Sequence, residues 1–551
     1  MANQRQKHSR SLKAKHIFFL FIILSLLSFH TVLYLSHNFI TASTPPPLHK
    51  FLRSNDDDKP HPAARGPNPL PQKLTPALIG AQRGHIHNCP IDTNKLAYWN
   101  DPMGYFDMNF HSPFASSSSG RTKYLTFEPD QGGWNNIRMS MENMIVLAAA
   151  MGRTLVLPPD QPLYLLKNDE ARRQRGFTDF FNLQTKELQR HVPIITAEEF
   201  IKKEGGLDVV TKTKSNAKDQ QIHVPEHFKK GVKEVMAHCE HRLKSKIWCG
   251  KLYDYYKEVG YVPSVHGGKN CFIFDKYSLE NDKMIPDESV VENIKKFCGR
   301  RKAVYYDKQM QDTTLIHFRT SENVFRILNH FYSFVHFTDP AIGNFYKRLI
   351  RDHIHYHDSI FCAASKIIQS LQKEGSKHEF IPDKEGGGGF SSMHIRRGDF
   401  QWKKMRISAE EWYENTKDYW RKNEILYITT DEKNKTFFEP LARHHELRFL
   451  DNYEELAGLS DLDPNYKGMI ESVVASRGRI FVGTYFSSFS AYIGRLRGYY
   501  GMSGNLMWYG QKDRRDEMQK WVDPKTSYSA REFPIGWSGI DGETVPSEDS
   551  F

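Results

Sequence analysis

The chain has 551 residues, of which 39% are hydrophobic, 13% aromatic and 26% charged, and its formal net charge is +11. This length exceeds what one hydrophobic core usually organises, and the composition can fill cores, so two lobes with appendages are expected and wholesale disorder is excluded. Arg5, Lys7, Arg10, Lys13 and Lys15 supply much of the positive charge, and no dense Lys/Arg stripe with interleaved aromatics follows, which argues against nucleic acid as a partner.

Residues 1–16 read as a cytosolic tail and residues 17–37 as a signal-anchor transmembrane helix. The uncharged run IFFLFIILSLLSFHTVLYL is long enough to cross a hydrocarbon layer of roughly 30 Å. Basic residues precede it and prolines follow it, so the positive-inside rule places the bulk of the chain in a lumen, as a single-pass type II protein. Residues 38–85 form a disordered stem, too rich in Pro, Gly, Ser and Asp to bury a core. Cys89, Cys239, Cys249, Cys271, Cys298 and Cys362 all follow the apolar run, which fits an oxidising compartment and up to three disulfides, with free buried cysteines as the other reading.

Residues 86–380 are expected to form an N-terminal lobe. Tyr124–Phe127 reads as a strand, EPDQGGWNN as a binding loop, Arg138–Met151 as a helix and Thr154–Leu157 as a second strand, a βαβ unit whose loop faces the edge where α/β sheets bind ligands. Residues 186–310 read as an insertion pinned by disulfides. The GGGG run within Lys384–Phe390 is the expected hinge. Residues 385–510 read as a Rossmann-like lobe: strands Ser391–Ile395, Ile425–Thr429, Leu447–Leu450 and Arg479–Val482 alternate with helices Ala409–Tyr419, Thr436–His444, Lys467–Ser476 and Phe489–Arg497. Residues 511–551 are a C-terminal extension. The fold class is therefore α/β, with two Rossmann-like lobes facing a cleft in a GT-B-like arrangement behind one transmembrane helix and a stem.

Three loops carry the chemistry, and all leave the carboxyl ends of strands in the second lobe. In His394-Ile-Arg-Arg-Gly-Asp399, Arg396 and Arg397 beside Gly398 can fork onto a pyrophosphate; a solvated, ion-paired turn is the alternative. Asp431 after Thr430 can accept from a guanine ring or cap the next helix. Ser487 and Ser488, with Phe489, offer hydroxyls and helix N-terminal N–H groups to an anion, or simply cap that helix. In the first lobe, Asp130 is either an acceptor base or a turn aspartate, and His317 in Leu315-Ile-His317-Phe-Arg319 faces the cleft or sits in the core. Tyr485 and Phe486 are expected to pack. Asn434-Lys-Thr is the one NxS/T sequon, either glycosylated or an ordinary turn. Asp461-Leu-Asp463 precedes a proline in a loop, unlike a metal-binding DxD, and no metal is expected.

HIRRGDF, YITTD and TYFSSFSAYIGRLRGYYG, together with EPDQGGWNNIRMSMENMIVLAAAMGRTLVLPP, resemble the motifs of the GDP-fucose O-fucosyltransferase family, over about residues 120–505 and in the manner of its plant branch. The resemblance implies an inverting, metal-independent transfer from GDP-fucose, with no cofactor, to a hydroxyl of a cell-wall glycan or secreted glycoprotein. It implies the nucleotide on the C-terminal lobe, the acceptor on the N-terminal lobe, and a Golgi membrane location, alone or in an enzyme complex. Arg396 matches the motif arginine that grips the diphosphate. His394, Arg397, Asp431, Ser487, Ser488, Phe489, Gly132, Gly133, Asn136 and Arg138 match or flank nucleotide-sugar positions, with Arg138 expected to neutralise phosphate. Where some relatives carry a glutamate this chain has Asp130-Gln131-Gly132-Gly133. Two alternatives follow: another donor, such as UDP-rhamnose on pectin, or a non-catalytic Golgi glycan-binding or scaffold protein.

Overall fold

The computed structural model describes residues 85–543 apart from 117–121, 131, 162–175, 206–238, 240–248, 282–285, 321–324, 383–385, 399–401, 503–505, 510–531 and 533. The expected tail, membrane anchor and stem up to residue 84 lie outside the described residues. Among those described, no helix is long and apolar enough to cross a membrane.

The first half builds a parallel sheet around one buried helix. Strand β1 (Tyr124–Phe127) is followed by helix α1 (Trp134–Ala150) and β2 (Thr154–Leu157). Helix α1 begins before the expected Arg138, because Gly133 takes an extended N-cap conformation at the end of the Pro129–Gly133 loop. From Ile137 to Ala150 every residue is buried, the mark of a helix enclosed on all sides rather than lying on a surface. Next come β3 (Ile194–Thr196), α2 (Gly250–Val259), β4 (Asn270–Phe274), β5 (Lys302–Tyr305), β6 (Leu315–Phe318), β7 (Val335–Phe337), α3 (Pro340–His353) and α4 (Asp358–Ser376). The first sheet has the order β3-β2-β1-β6 and a second, smaller one the order β5-β4-β7. Among the described residues of 186–310, expected as an insertion, β3 pairs its backbone with β2 and extends the first sheet, and β4 pairs with β7 from beyond the segment.

The second half contains β8 (Ser391–Ile395), α5 (Ala409–Thr416), β9 (Ile425–Thr430), β10 (Glu446–Arg448), α6 (Lys467–Ser476), β11 (Phe481–Thr484), α7 (Ser488–Tyr499) and β12 (Leu506–Tyr509). Its five-stranded sheet runs β10-β9-β8-β11-β12, parallel throughout. Strand β12 is an addition to the predicted set. Helix α4, expected with the N-terminal lobe, packs on α6 instead, since Ile360, Phe361, Ala364, Ile367, Ile368 and Leu371 form an apolar face that needs a covering helix. The glycine run is a bonded turn rather than a slack linker. Gly386, Gly388 and Gly389 adopt positive φ, the Gly388 N–H donates to the Arg477 carbonyl at 2.8 Å, and Gln372 Nε2 donates to the Gly386 carbonyl at 2.9 Å.

Residues 73–551 form one compact unit, so the two main sheets belong to one body. Both have a topological switch point, the place where strand order reverses and the loops on either side diverge to leave a crevice. In the first it lies between β1 and β6, in the second between β8 and β11. A buried ionic clasp ties α1 to α7 near these crevices. Arg495 donates to Glu142 at 2.5 Å and to Glu532, its Nη2 lies 2.7 Å from His330 Nδ1, and Arg138 pairs with the other oxygen of Glu142. Burial alone would raise the Glu532 pKa, but Arg495 and His330 outweigh it and hold the carboxyl down at about 2. The described residues of the C-terminal extension join this body: Glu532 belongs to the clasp, Trp537 and Ile540 are buried, and Lys347 donates to the Gly536 carbonyl at 2.8 Å.

All six cysteines pair, as Cys89–Cys362, Cys239–Cys249 and Cys271–Cys298. The first joins residues 273 apart and pins the N-terminal segment to α4. Closing so long a loop constrains the unfolded chain most, by about 5 kcal/mol on the chain-entropy account.

Candidate active site

The C-terminal rim of the site is built where β8 and β11 part. His394, the fourth residue of β8, is almost fully buried, with Nδ1 2.6 Å from Ser490 Oγ and its ring 4.6 Å from that of Phe489. Burial, with the nearby Arg396 charge adding, pushes its pKa down to about 3, so the ring is neutral at any physiological pH. The chain then turns, and the Arg396 N–H donates to Thr484 Oγ1 at 2.9 Å. Arg396 also donates from Nη1 to Asp431 Oδ2, and the Arg397 N–H reaches Asp431 Oδ1 at 2.7 Å. A side chain at position 398 would collide with this carboxylate, which is why a glycine follows the arginines. The two guanidinium groups diverge: Arg397 is taken up by Glu432 at 2.9 Å and lies 3.9 Å over the Phe437 ring. Asp399 lies outside the described residues. The helical turn after Asp431 is capped by Asn434, so the capping role expected as an alternative for Asp431 is replaced by the arginine pairing.

Strand β11 delivers the second loop of this rim. Phe486 takes a positive φ of 63° and stacks on Trp402 at 4.8 Å, while Tyr485 is buried, so both aromatics pack as expected. Ser487 is the N-cap of α7 but makes no side-chain cap, and the Ser488 hydroxyl donates 3.0 Å to Asn136 Oδ1 instead. That bond joins the first turns of α7 and α1, so the positive ends of two helix dipoles meet beside the switch point.

The N-terminal rim is built where β1 and β6 part. Asp130, fully buried, accepts from Arg326 Nε and Nη2 at 2.8 Å each, and from the Gly132 N–H at 2.6 Å. A carboxylate so engaged is a holder of its arginine rather than a base open to an incoming hydroxyl. Gly132 is required by crowding: a Cβ there would stand 2.5 Å from Asn136 Nδ2, 2.7 Å from Asp130 Oδ1 and 2.9 Å from Arg326 Nη2. Gly133 opens α1.

Two expected site residues are placed elsewhere. Arg138 cannot reach a phosphate, since it is wholly buried in its pair with Glu142 and lies 3.8 Å over the Tyr492 ring. His317 takes the core position: it is wholly buried in β6, with Nδ1 2.9 Å from Thr126 Oγ1, and burial lowers its pKa. Asn434 is exposed and its Oδ1 accepts from the Thr436 hydroxyl at 2.8 Å.

Sequence reasoning missed Arg326 and Glu471. Arg326 follows β6, and a reading of both loops at the first switch point would have found it. Glu471 is the one acidic residue within the apolar helix KGMIESVVAS, a signal in itself. Burial, reinforced by Asp451, pushes its carboxyl up to about 8, and Asp431 adds to the effect. Among the described residues no group of three or more His, Cys, Asp or Glu side chains is arranged to hold a metal ion; Asp463 of the DLD sequence accepts from the Asn465 N–H.

The family model described as GDP-fucose protein O-fucosyltransferase matches residues 124–500. No curated protein matches the chain. Among solved structures, POFUT1 in complex with GDP-fucose is 14% identical, with 71% of this chain and 98% of that one covered at a TM-score of 0.30. The fucosyltransferase NodZ from Bradyrhizobium is 12% identical, with 68% and 93% covered at a TM-score of 0.31. Both likenesses are distant.

Proposed function

This chain belongs to the GDP-fucose protein O-fucosyltransferase family, a family of glycosyltransferases, and we propose from that membership that it moves fucose from GDP-fucose to a hydroxyl of a cell-wall glycan or secreted glycoprotein. The observation that carries the reading is Arg396, held by Asp431 at the carboxyl ends of β8 and β9, beside the N-terminus of α7 and at the switch point of the second sheet. The two halves act as the facing lobes of a GT-B enzyme, with the nucleotide on the second. Acceptor oxygen bonds to fucose C1 from the face opposite the phosphate, the C1–O bond to the β-phosphate breaks, and its electron pair leaves on GDP. The acceptor proton passes to solvent, and the configuration at C1 inverts. Arg396 stabilises the charge that grows on the departing diphosphate, the part a metal ion plays elsewhere, and exchanges one Asp431 contact for the phosphate. His394 stays neutral and orients Ser490 and Phe489 beneath the nucleotide. Three disulfides support a lumenal site, with residues 17–37 as its Golgi anchor.

Calorimetry of GDP, GDP-fucose and UDP-rhamnose with the purified chain, with and without EDTA, tests this. Tight GDP-fucose binding that ignores EDTA and is lost in Arg396→Ala is expected. Preference for UDP-rhamnose would change the donor, and absence of any nucleotide binding would leave a non-catalytic glycan-binding protein.

A further inference from the structure

The loops at the first sheet's switch point hold a guanidinium that the transfer just proposed does not use. Arg326 reaches there from the loop after β6, and Asp130 from the loop after β1. The pairing is fork to fork: Nε and Nη2 face the two carboxylate oxygens, which fixes the plane of the group and turns its remaining edge away from Asp130. Asp130 is fully buried, whereas the Arg326 side chain keeps 31% of its surface exposed, so the pair presents the arginine outward.

Beside that pair the backbone of Gly132 is closely packed, and only the lack of a side chain there lets Arg326 and Asn136 approach each other. The missing Cβ of Gly132 would sit between Arg326 Nη2 and Asn136 Nδ2, at 2.9 and 2.5 Å. Asn136 receives the Ser488 hydroxyl on Oδ1, which orients its amide nitrogen away from Ser488 and toward Gly132 and Arg326. A donor from the loop after β6 and one from the first turn of α1 therefore lie together beside the first turn of α7, which belongs to the other half. N–H groups placed this way accept no hydrogen bond and donate to an acceptor oxygen, most strongly to an anionic one.

We propose that Arg326, oriented by Asp130 and paired with Asn136 across Gly132, donates to the anionic leaving diphosphate from the N-terminal half, opposite Arg396. The inference rests on the nucleotide-sugar reading above and assigns to it a second, oppositely placed arginine. Asp130 is a positioning residue here. Because it offsets much of the arginine's net charge, Arg326 acts through directed hydrogen bonds that tighten as the C1–O bond lengthens and negative charge gathers on the β-phosphate oxygen. Its effect then falls on turnover more than on ground-state binding.

Steady-state transfer is measured for the wild type, Arg326→Met, Arg326→Ala and the double variant Asp130→Asn/Arg326→Met, with GDP affinity and melting temperature recorded for each. The double variant removes the carboxylate charge that the single change would strand, so it keeps the test valid if Arg326→Met folds poorly. The expected result is a kcat lower by about 100-fold in both methionine variants, the size of effect seen when one preorganised donor to a developing oxyanion is removed. GDP affinity should fall by less than about 10-fold, acceptor KM should stay unchanged, and added guanidinium at non-denaturing concentration should restore part of kcat in Arg326→Ala. A folded double variant with wild-type kcat, or a loss confined to acceptor KM, would overturn the assignment. A wild type that binds no nucleotide would instead overturn the transferase reading itself, so the two failures are separable.

Discussion

Each main sheet carries an aspartate–arginine pair at its switch point, and the two pairs differ in what is buried. In the first half Asp130 is sealed and Arg326 looks outward; in the second, Asp431 and Arg396 keep 26% and 20% of their side-chain surface exposed. A buried carboxylate cannot leave its partner without stranding a charge in low dielectric, so the first pair is a fixed bracket. A pair whose carboxylate reaches solvent can exchange that carboxylate for a ligand phosphate at smaller cost. The difference teaches that identical residue types at equivalent topological places serve as a permanent and an exchangeable anion holder, according to burial alone.

The clasp that holds the two rims together gives the largest expected effect. Arg495→Met strands Glu142 and Glu532, and breaking such a buried pairing should lower unfolding free energy by about 3–5 kcal/mol, read by urea titration. An unchanged midpoint would show that the halves are not joined through α1 and α7. Next, Arg396→Ala should reduce transfer by about 100- to 1,000-fold while changing stability by less than about 1 kcal/mol. Arg326→Ala should show the reverse emphasis in stability, losing about 3 kcal/mol because Asp130 stays behind unpaired. Equal melting temperatures for the two alanine variants would break the comparison between the rims.

The pH dependence separates the regions further. His394 and His355 have folded pKa values pushed by burial from 6.5 to about 3 and about 4, so below pH 6.5 the unfolded chain binds protons that the folded one refuses. Stability is therefore full above pH 6.5 and falls as pH drops toward 4. Glu471 acts in the other direction. Its carboxyl keeps a proton up to about pH 8 in the folded state against 4.5 in the unfolded one, so its contribution is full below 4.5 and is lost as pH rises through 8. Glu471→Gln should flatten the alkaline limb of a melting-temperature profile and leave the acid limb in place. The smallest effect is expected at the surface: Asn434→Gln should shift stability by less than about 0.5 kcal/mol, and a mass decrease of the secreted chain would identify a glycan there.

Much of the fold is determined locally and was legible in the sequence. Strand–loop–helix alternation over residues 391–499 follows from apolar runs of strand and helix length, and the loops HIRRG, TTD and TYFSS stand at carboxyl strand ends because parallel strands need crossover helices. Arg396 and Asp431 therefore meet at one edge of the sheet, once the strand order is known. Tertiary structure alone decided the rest. Arg138 and Arg326 are both arginines near a loop, yet one is sealed under Tyr492 and the other faces outward, and no local pattern records which neighbour will cover a side chain. Asp130 read as a turn residue, with a base as the other reading, until Arg326, 196 residues along the chain, arrived to occupy it. Likewise α4, β12 and the segment around Glu532 join the body through partners far away in sequence, because apolar faces and buried charges are satisfied by whatever the topology brings near, and that is settled only when the whole chain has closed.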